Sequence, residues 1–124
     1  MAQDNYLLKL WERAGKFPAG KQLFSRAVCR RAPYFGSIRP LVREVRPNYC
    51  EVWFKKRRAV ENHIKTVHVI AICNALEMAM GALAEATIPK HLRWIPRGMS
   101  LDYVDKATTD IVAVAETCPE DWKP

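Results

Sequence analysis

The chain has 124 residues, 49% of them hydrophobic and 27% charged, with eight prolines and five glycines. That is one domain's length in globular proportions, which excludes a disordered tail, a collagen-like repeat and a low-complexity chain. Twenty Lys and Arg against 13 Asp and Glu leave a net charge of +7, which favours an anionic partner: nucleic acid, an acidic membrane surface or a phosphorylated ligand.

In chain order, residues 4–15 predict a short amphipathic helix, with Tyr6, Leu7, Leu10, Trp11 and Ala14 on one face and Lys9, Glu12 and Arg13 opposite. Asp4 is the expected N-cap, and Gly15 with Pro18 stops the helix. The early Asp and the lack of a long apolar run argue against a secretory signal. Residues 20–31 predict a second helix, with Leu23, Phe24, Ala27 and Val28 as its stripe and Pro33 beyond it. The period then changes to two. Leu41–Arg46 and Cys50–Phe54, rich in β-branched and aromatic residues, predict two strands joined by a turn at Pro47-Asn48. Pro40 sets the first strand near an edge or a bulge.

Thr66–Thr87 is apolar on almost every side, lacks proline and ends before Pro89. Its Ala, Leu, Met and Glu content predicts a long helix with Thr66 as N-cap, buried against a sheet wrapped around it. Crossing a membrane is disfavoured, because Glu77 near mid-bilayer would cost on the order of 3 kcal/mol, with Asn74 and Glu85 adding to it. A basic loop follows, then two strand candidates, Met99–Val104 and Asp110–Glu116, and a closing turn, CPEDWKP.

The residues that suggest chemistry lie on the long helix. Asn74, Glu77, Gly81 and Glu85 are spaced 3, 4 and 4, one polar stripe on an apolar helix. Burial of Glu77 would raise its pKa and make it a stronger base. The bland alternatives are an ion pair with an arginine or a solvent-facing stripe. His68 falls in the first turn, where free amides can hold developing negative charge; capping or packing is its alternative. His63, His68 and Cys73 match no metal-ligand spacing, and no glycine-rich phosphate loop is present. Cys29, Cys50, Cys73 and Cys118 form no CxxC pair and are expected as free, core-filling thiols in a reducing cytoplasm. Lys55-Lys56-Arg57-Arg58 and Lys90, Arg93, Arg97 flank the helix in sequence as candidate phosphate binders. Aromatics alternate with basic residues only at Trp53-Phe54 and Trp94, which weakens a nucleic-acid reading.

The stretch RRAVENHIKTVHVIAICNALEMAMGALAE resembles the hallmark segment of hotdog-fold acyl-CoA thioesterases, nearest the phenylacetate-pathway-like branch and its bacterial relatives. There an Asn precedes a His at the head of a long helix, and an acidic residue follows about two and a half turns on; Asn62, His68 and Glu77 stand in those places. The resemblance covers residues 34–116. It implies an α+β hotdog fold in one domain over 1–124, an antiparallel β-sheet wrapped around a long central α-helix, here with N-terminal helices. It further implies a homodimer or dimer of dimers with the site at the subunit interface, near the 99–104 strand. Glu77 would be the base or nucleophile, with His68 and the amides of Val69 and Ile70 near the thioester carbonyl. Asn62 would place the water or carbonyl. Asn74 and Gly81 would line the substrate, Arg57 and Arg58 would hold the coenzyme A phosphates, and no metal or separate cofactor is expected. Two features depart from the family: Val69-Ile70 replaces the usual Gly-Gly, and two further strands normally follow the one at 110–116. The alternatives are an acyl-binding hotdog protein without catalysis, and a basic RNA-binding or protein-interaction module.

Overall fold

A computed structural model describes residues 5–122. Helix α1 (Tyr6–Ala14) is followed by α2 (Gly20–Arg31) and a 3-10 segment, Pro33–Ile38. Asp4 lies outside the described residues; Asn5 caps α1, its side chain accepting from the Leu8 amide at 3.0 Å. The two helices approach so closely that a Cβ on Gly20 would meet the Ala14 carbonyl oxygen at 1.5 Å, so only glycine fits that crossing. Trp11 meets Phe24 edge to face, ring centroids 5.1 Å apart.

Strands β1 (Leu41–Arg46), β2 (Tyr49–Phe54) and β3 (Ile111–Glu116) form one antiparallel sheet in that order. A bulge between Val42 and Glu44 interrupts the β1–β2 ladder, the irregularity that Pro40 announced. Asn48 takes φ of 66° in the Pro47-Asn48 turn, a conformation that Asn tolerates well. Val42, Val45, Cys50, Val52, Phe54 and Ala113 point inward and are buried. Helix α3 (Val69–Thr87) packs on that face. Leu8 and Phe24 belong to the same core cluster as Val52 and Leu83, so the N-terminal helices share the sheet's core. Ser25 joins them through polar contacts: its hydroxyl donates to the Lys21 carbonyl and accepts from the buried Val42 amide at 2.8 Å.

Two expectations are corrected. Helix α3 starts after His68, not after Thr66. Extended backbone persists through Val67, which bridges Glu61, and the Thr66 hydroxyl is engaged by Asn62 Nδ2 at 2.7 Å. Met99–Val104 forms no strand; residues 88–110 have no regular structure. Among the described strands none offers Met99–Val104 a ladder, and Tyr103 and Val104 remain 71% and 91% exposed. Helix α3 is long and apolar enough to cross a membrane by length and composition, and 39% of its most apolar 18-residue window is buried within the fold. The expected packing of this helix against the sheet is observed. The closing segment includes a 3-10 turn, Pro119–Trp122.

Candidate functional site

The N-terminus of α3 is built by His68. Its extended backbone ends the preceding bridge, and its Nδ1 accepts from the Ile70 amide at 3.1 Å. A neutral imidazole that accepts through Nδ1 carries its proton on Nε2. The ring is exposed and lines an open hollow of about 330 Å³ with Asn74, Tyr34, Ser37 and Glu61. His68 therefore both caps the helix and faces this hollow. The cap also occupies the Ile70 amide, one of the two expected near the thioester carbonyl.

Asn74 sits six residues further along, 4% exposed. Its Nδ2 donates to the Tyr34 carbonyl at 3.3 Å and to Ser37 Oγ at 3.1 Å. The reverse amide orientation would set two carbonyl oxygens against each other, so Oδ1 points elsewhere, and it is buried without a partner. An unsatisfied buried acceptor costs about 1–3 kcal/mol, and in native proteins such atoms mark sites where something else is accommodated.

Glu77 is exposed, which corrects the expectation of a buried, strengthened base. It lines a second hollow of about 220 Å³ with Ala32, Pro33, Tyr34 and Phe35. Glu77 lies three residues after Asn74, on the same helix face, yet the only residue lining both hollows is Tyr34. The rest of the polar stripe is taken up. A Cβ on Gly81 would stand 3.1 Å from the Trp94 ring, and Trp94 Nε1 donates to Glu85 Oε1 at 2.7 Å. Gly81 is thus a seat for Trp94 and lines neither hollow.

Asn62 lines neither hollow. Its Oδ1 accepts from the Ile64 and Thr66 amides at 3.0 and 3.1 Å, closing the turn that carries Lys65 at φ 66°. Arg57 Nη2 donates to the Ser37 carbonyl at 2.8 Å, while Arg58 is exposed. Lys56 pairs with Glu61 at 2.6 Å, both half-buried. The basic run thus divides between Lys56 and Arg57, which are tied to Glu61 and Ser37 of the hollow's wall, and the exposed Lys55 and Arg58. Tyr34, Ser37 and Glu61 were not foreseen as lining residues. Tyr34 and Ser37 come from the 3-10 segment, whose only sequence signals are Pro33 and a turn-forming Ser, neither specific to a site.

Among the described residues, no three His, Cys, Asp or Glu side chains gather to hold a metal ion. The four cysteines are free. Cys50 is buried in the core and burial pushes its thiol pKa up to about 12, whereas Cys118 is exposed and fills no core.

No curated protein matches the chain. A solved crystal structure described only as a genomics target is similar to it, with 47% sequence identity over 96% of this chain and 80% of that chain, at a TM-score of 0.81. Residues 20–124 match the family described as Domain of unknown function (DUF4442). This span takes in α2, the whole sheet, α3 and both hollows, and the chain belongs to the DUF4442 family.

Proposed function

We propose that the chain is a hotdog-type hydrolase of acyl-CoA or a related acyl thioester, working in the cytoplasm as a homodimer or dimer of dimers. Coenzyme A enters as part of the substrate, and no separate cofactor takes part. The observation that carries this reading is the meeting of Asn74 with the His68-capped start of α3 in one hollow. Glu77, on the same helix face as Asn74, supports it. His68 Nε2–H with the Val69 amide supplies donors for a carbonyl oxygen. Glu77 takes a proton from water as the water oxygen attacks the thioester carbon. Collapse of the tetrahedral oxyanion breaks the C–S bond, and the leaving thiolate receives that proton. Arg58, exposed beside the hollow-lining Ala59, is positioned in sequence to meet the coenzyme A phosphates.

A second reading is favoured by one observation: bulky Val69-Ile70 stands where Gly-Gly would admit the thioester. On that reading the protein binds an acyl group without cleaving it. A panel of acyl-CoAs, assayed for free thiol with wild type and Glu77→Gln, separates the two. Loss of about 10²–10⁴-fold in turnover in the folded variant supports hydrolysis. Equal rates in both proteins, including none, remove the hydrolase and leave acyl binding.

A further inference from the structure

We infer that the outer face of α2 is a docking surface for an anionic lipid bilayer, on which the protein lies without crossing it. The charge of the chain is not evenly spread. Residues 13–43 hold eight Lys and Arg and no Asp or Glu, while the rest of the chain carries 12 Lys and Arg against 13 Asp and Glu. The net charge of +7 therefore belongs to the N-terminal helices and the segment that follows them. All eight of these cations are exposed, and among the described residues none of them pairs with a carboxylate.

Helix α2 sorts its residues onto two arcs. Gly20, Phe24, Ser25, Val28 and Cys29 are buried or half-buried, whereas Gln22, Leu23, Arg26, Ala27, Arg30 and Arg31 are exposed and share the opposite arc. A helix face that meets only water commonly mixes both signs of charge. Here Arg26 and Arg30 stand four residues apart, where like charges repel. Leu23, three residues before Arg26 and seven before Arg30, lies on the same face and is 57% exposed; Phe17, in the connection leading into α2, is 64% exposed. A cationic helix face that also presents apolar side chains suits the boundary between lipid headgroups and acyl chains. Each cation near an anionic leaflet adds to the attraction. Nucleic acid would use the same charges, but an aliphatic side chain among arginines offers bases no stacking surface. Hydrocarbon does accept it, and that selects the bilayer.

The test is co-sedimentation with vesicles of phosphatidylcholine alone and with vesicles of phosphatidylcholine and phosphatidylglycerol in equal parts. Wild type is expected to bind only the second kind, and more weakly as salt rises. Arg26→Gln/Arg30→Gln is expected to bind them about tenfold more weakly or worse. Arg26→Lys/Arg30→Lys should bind as wild type does, because the charge and not the guanidinium shape is read. Leu23→Ser, at constant salt, should also lose about tenfold, since it removes the apolar side chain that enters the bilayer. All three positions are exposed, and matching thermal unfolding shows that the variants differ from wild type only at the surface. No binding to the anionic vesicles overturns the inference, as does binding that Arg26→Gln/Arg30→Gln leaves unchanged. Vesicle binding that Leu23→Ser leaves unchanged overturns it too, and tight binding of a mixed-sequence oligonucleotide would then reassign the face to nucleic acid. No thioester enters these measurements, so their failure and that of the hydrolase reading are distinguishable.

Discussion

On the side of α3 that meets the sheet, Ala75, Met78, Ala79 and Leu83 are at most 1% exposed, whereas on the side that bears the two hollows Ile70 is 52% exposed and Glu77 stands in solvent. Both sides belong to one helix with one backbone geometry. The difference lies in the side chains and in what the chain lays over them. Small alanines let the sheet come close, with Met78 and Leu83 filling the remaining space against Val52 and Phe54. On the opposite side the 3-10 segment covers Asn74 through its backbone and leaves the neighbouring positions open. Stability and proposed chemistry are therefore carried by different faces of α3, and substitutions on the two faces should separate them.

The largest expected effect is on the packed face. Leu83→Ala should lower the unfolding free energy by about 2–5 kcal/mol, the usual result of a cavity in a core that cannot collapse. Urea denaturation followed by circular dichroism measures it. A loss below about 1 kcal/mol would mean that this face is less tightly packed than its burial indicates.

A second, smaller effect reaches the packed face from the sheet side through Cys50. Burial disfavours the thiolate and pushes the thiol pKa in the folded protein up to about 12 from the ordinary 9.0. Folding stability from this group is complete below pH 9 and is lost as pH rises from 9 towards 12, since the unfolded chain gives up the proton first. At pH 10 the loss is about 1.4 kcal/mol relative to pH 8. The stability difference between those two pH values should shrink by that amount in Cys50→Ala.

The smallest effect belongs to the open face. Ile70→Ser should change the unfolding free energy by no more than about 0.5 kcal/mol, as for other exposed positions. A loss above about 1 kcal/mol would show that Ile70 is covered in solution. Sedimentation of wild type and variant would then identify a second subunit as the cover, if only the wild type is dimeric.

The sequence carried the elements whose signals are local. Helices α1 and α2, the change to period two at Leu41, and the long helix before Pro89 all reappear in the structure, but the buried faces of the first two helices are shifted: Tyr6 and Leu23 of the expected stripes are exposed, and Leu8 and Ser25 are buried instead. Met99–Val104 had the alternation of a strand, but a strand is completed by a neighbour, and alternation says nothing about where that neighbour is. Thr66 had the chemistry of an N-cap, but Asn62 claimed its hydroxyl. In the site, the stripe spacing correctly placed Asn74 and Glu77 on one face. It did not foretell that Trp94 would settle over Gly81 or that Tyr34 would line both hollows. Those are encounters between segments distant in sequence, and periodicity within one helix has no information about them.

The sheet order has a consequence for how the protein assembles itself. Strands β1 and β2 adjoin through a two-residue turn, so their hairpin can close within about 1–10 μs. Strand β3 pairs with β2 along six rungs, yet residues 55–110 run between them. Closing so long a loop costs chain entropy before any rung can compensate for it. Chain entropy thus weighs against early pairing of β3 and favours the local hairpin. Asn48 ties the two together in the folded state: its amide donates to Thr87 Oγ1 at the end of α3, and its side-chain oxygen accepts from Thr117 Oγ1 just past β3. One asparagine in a hairpin turn thus fastens the two most distant partners of the sheet's end.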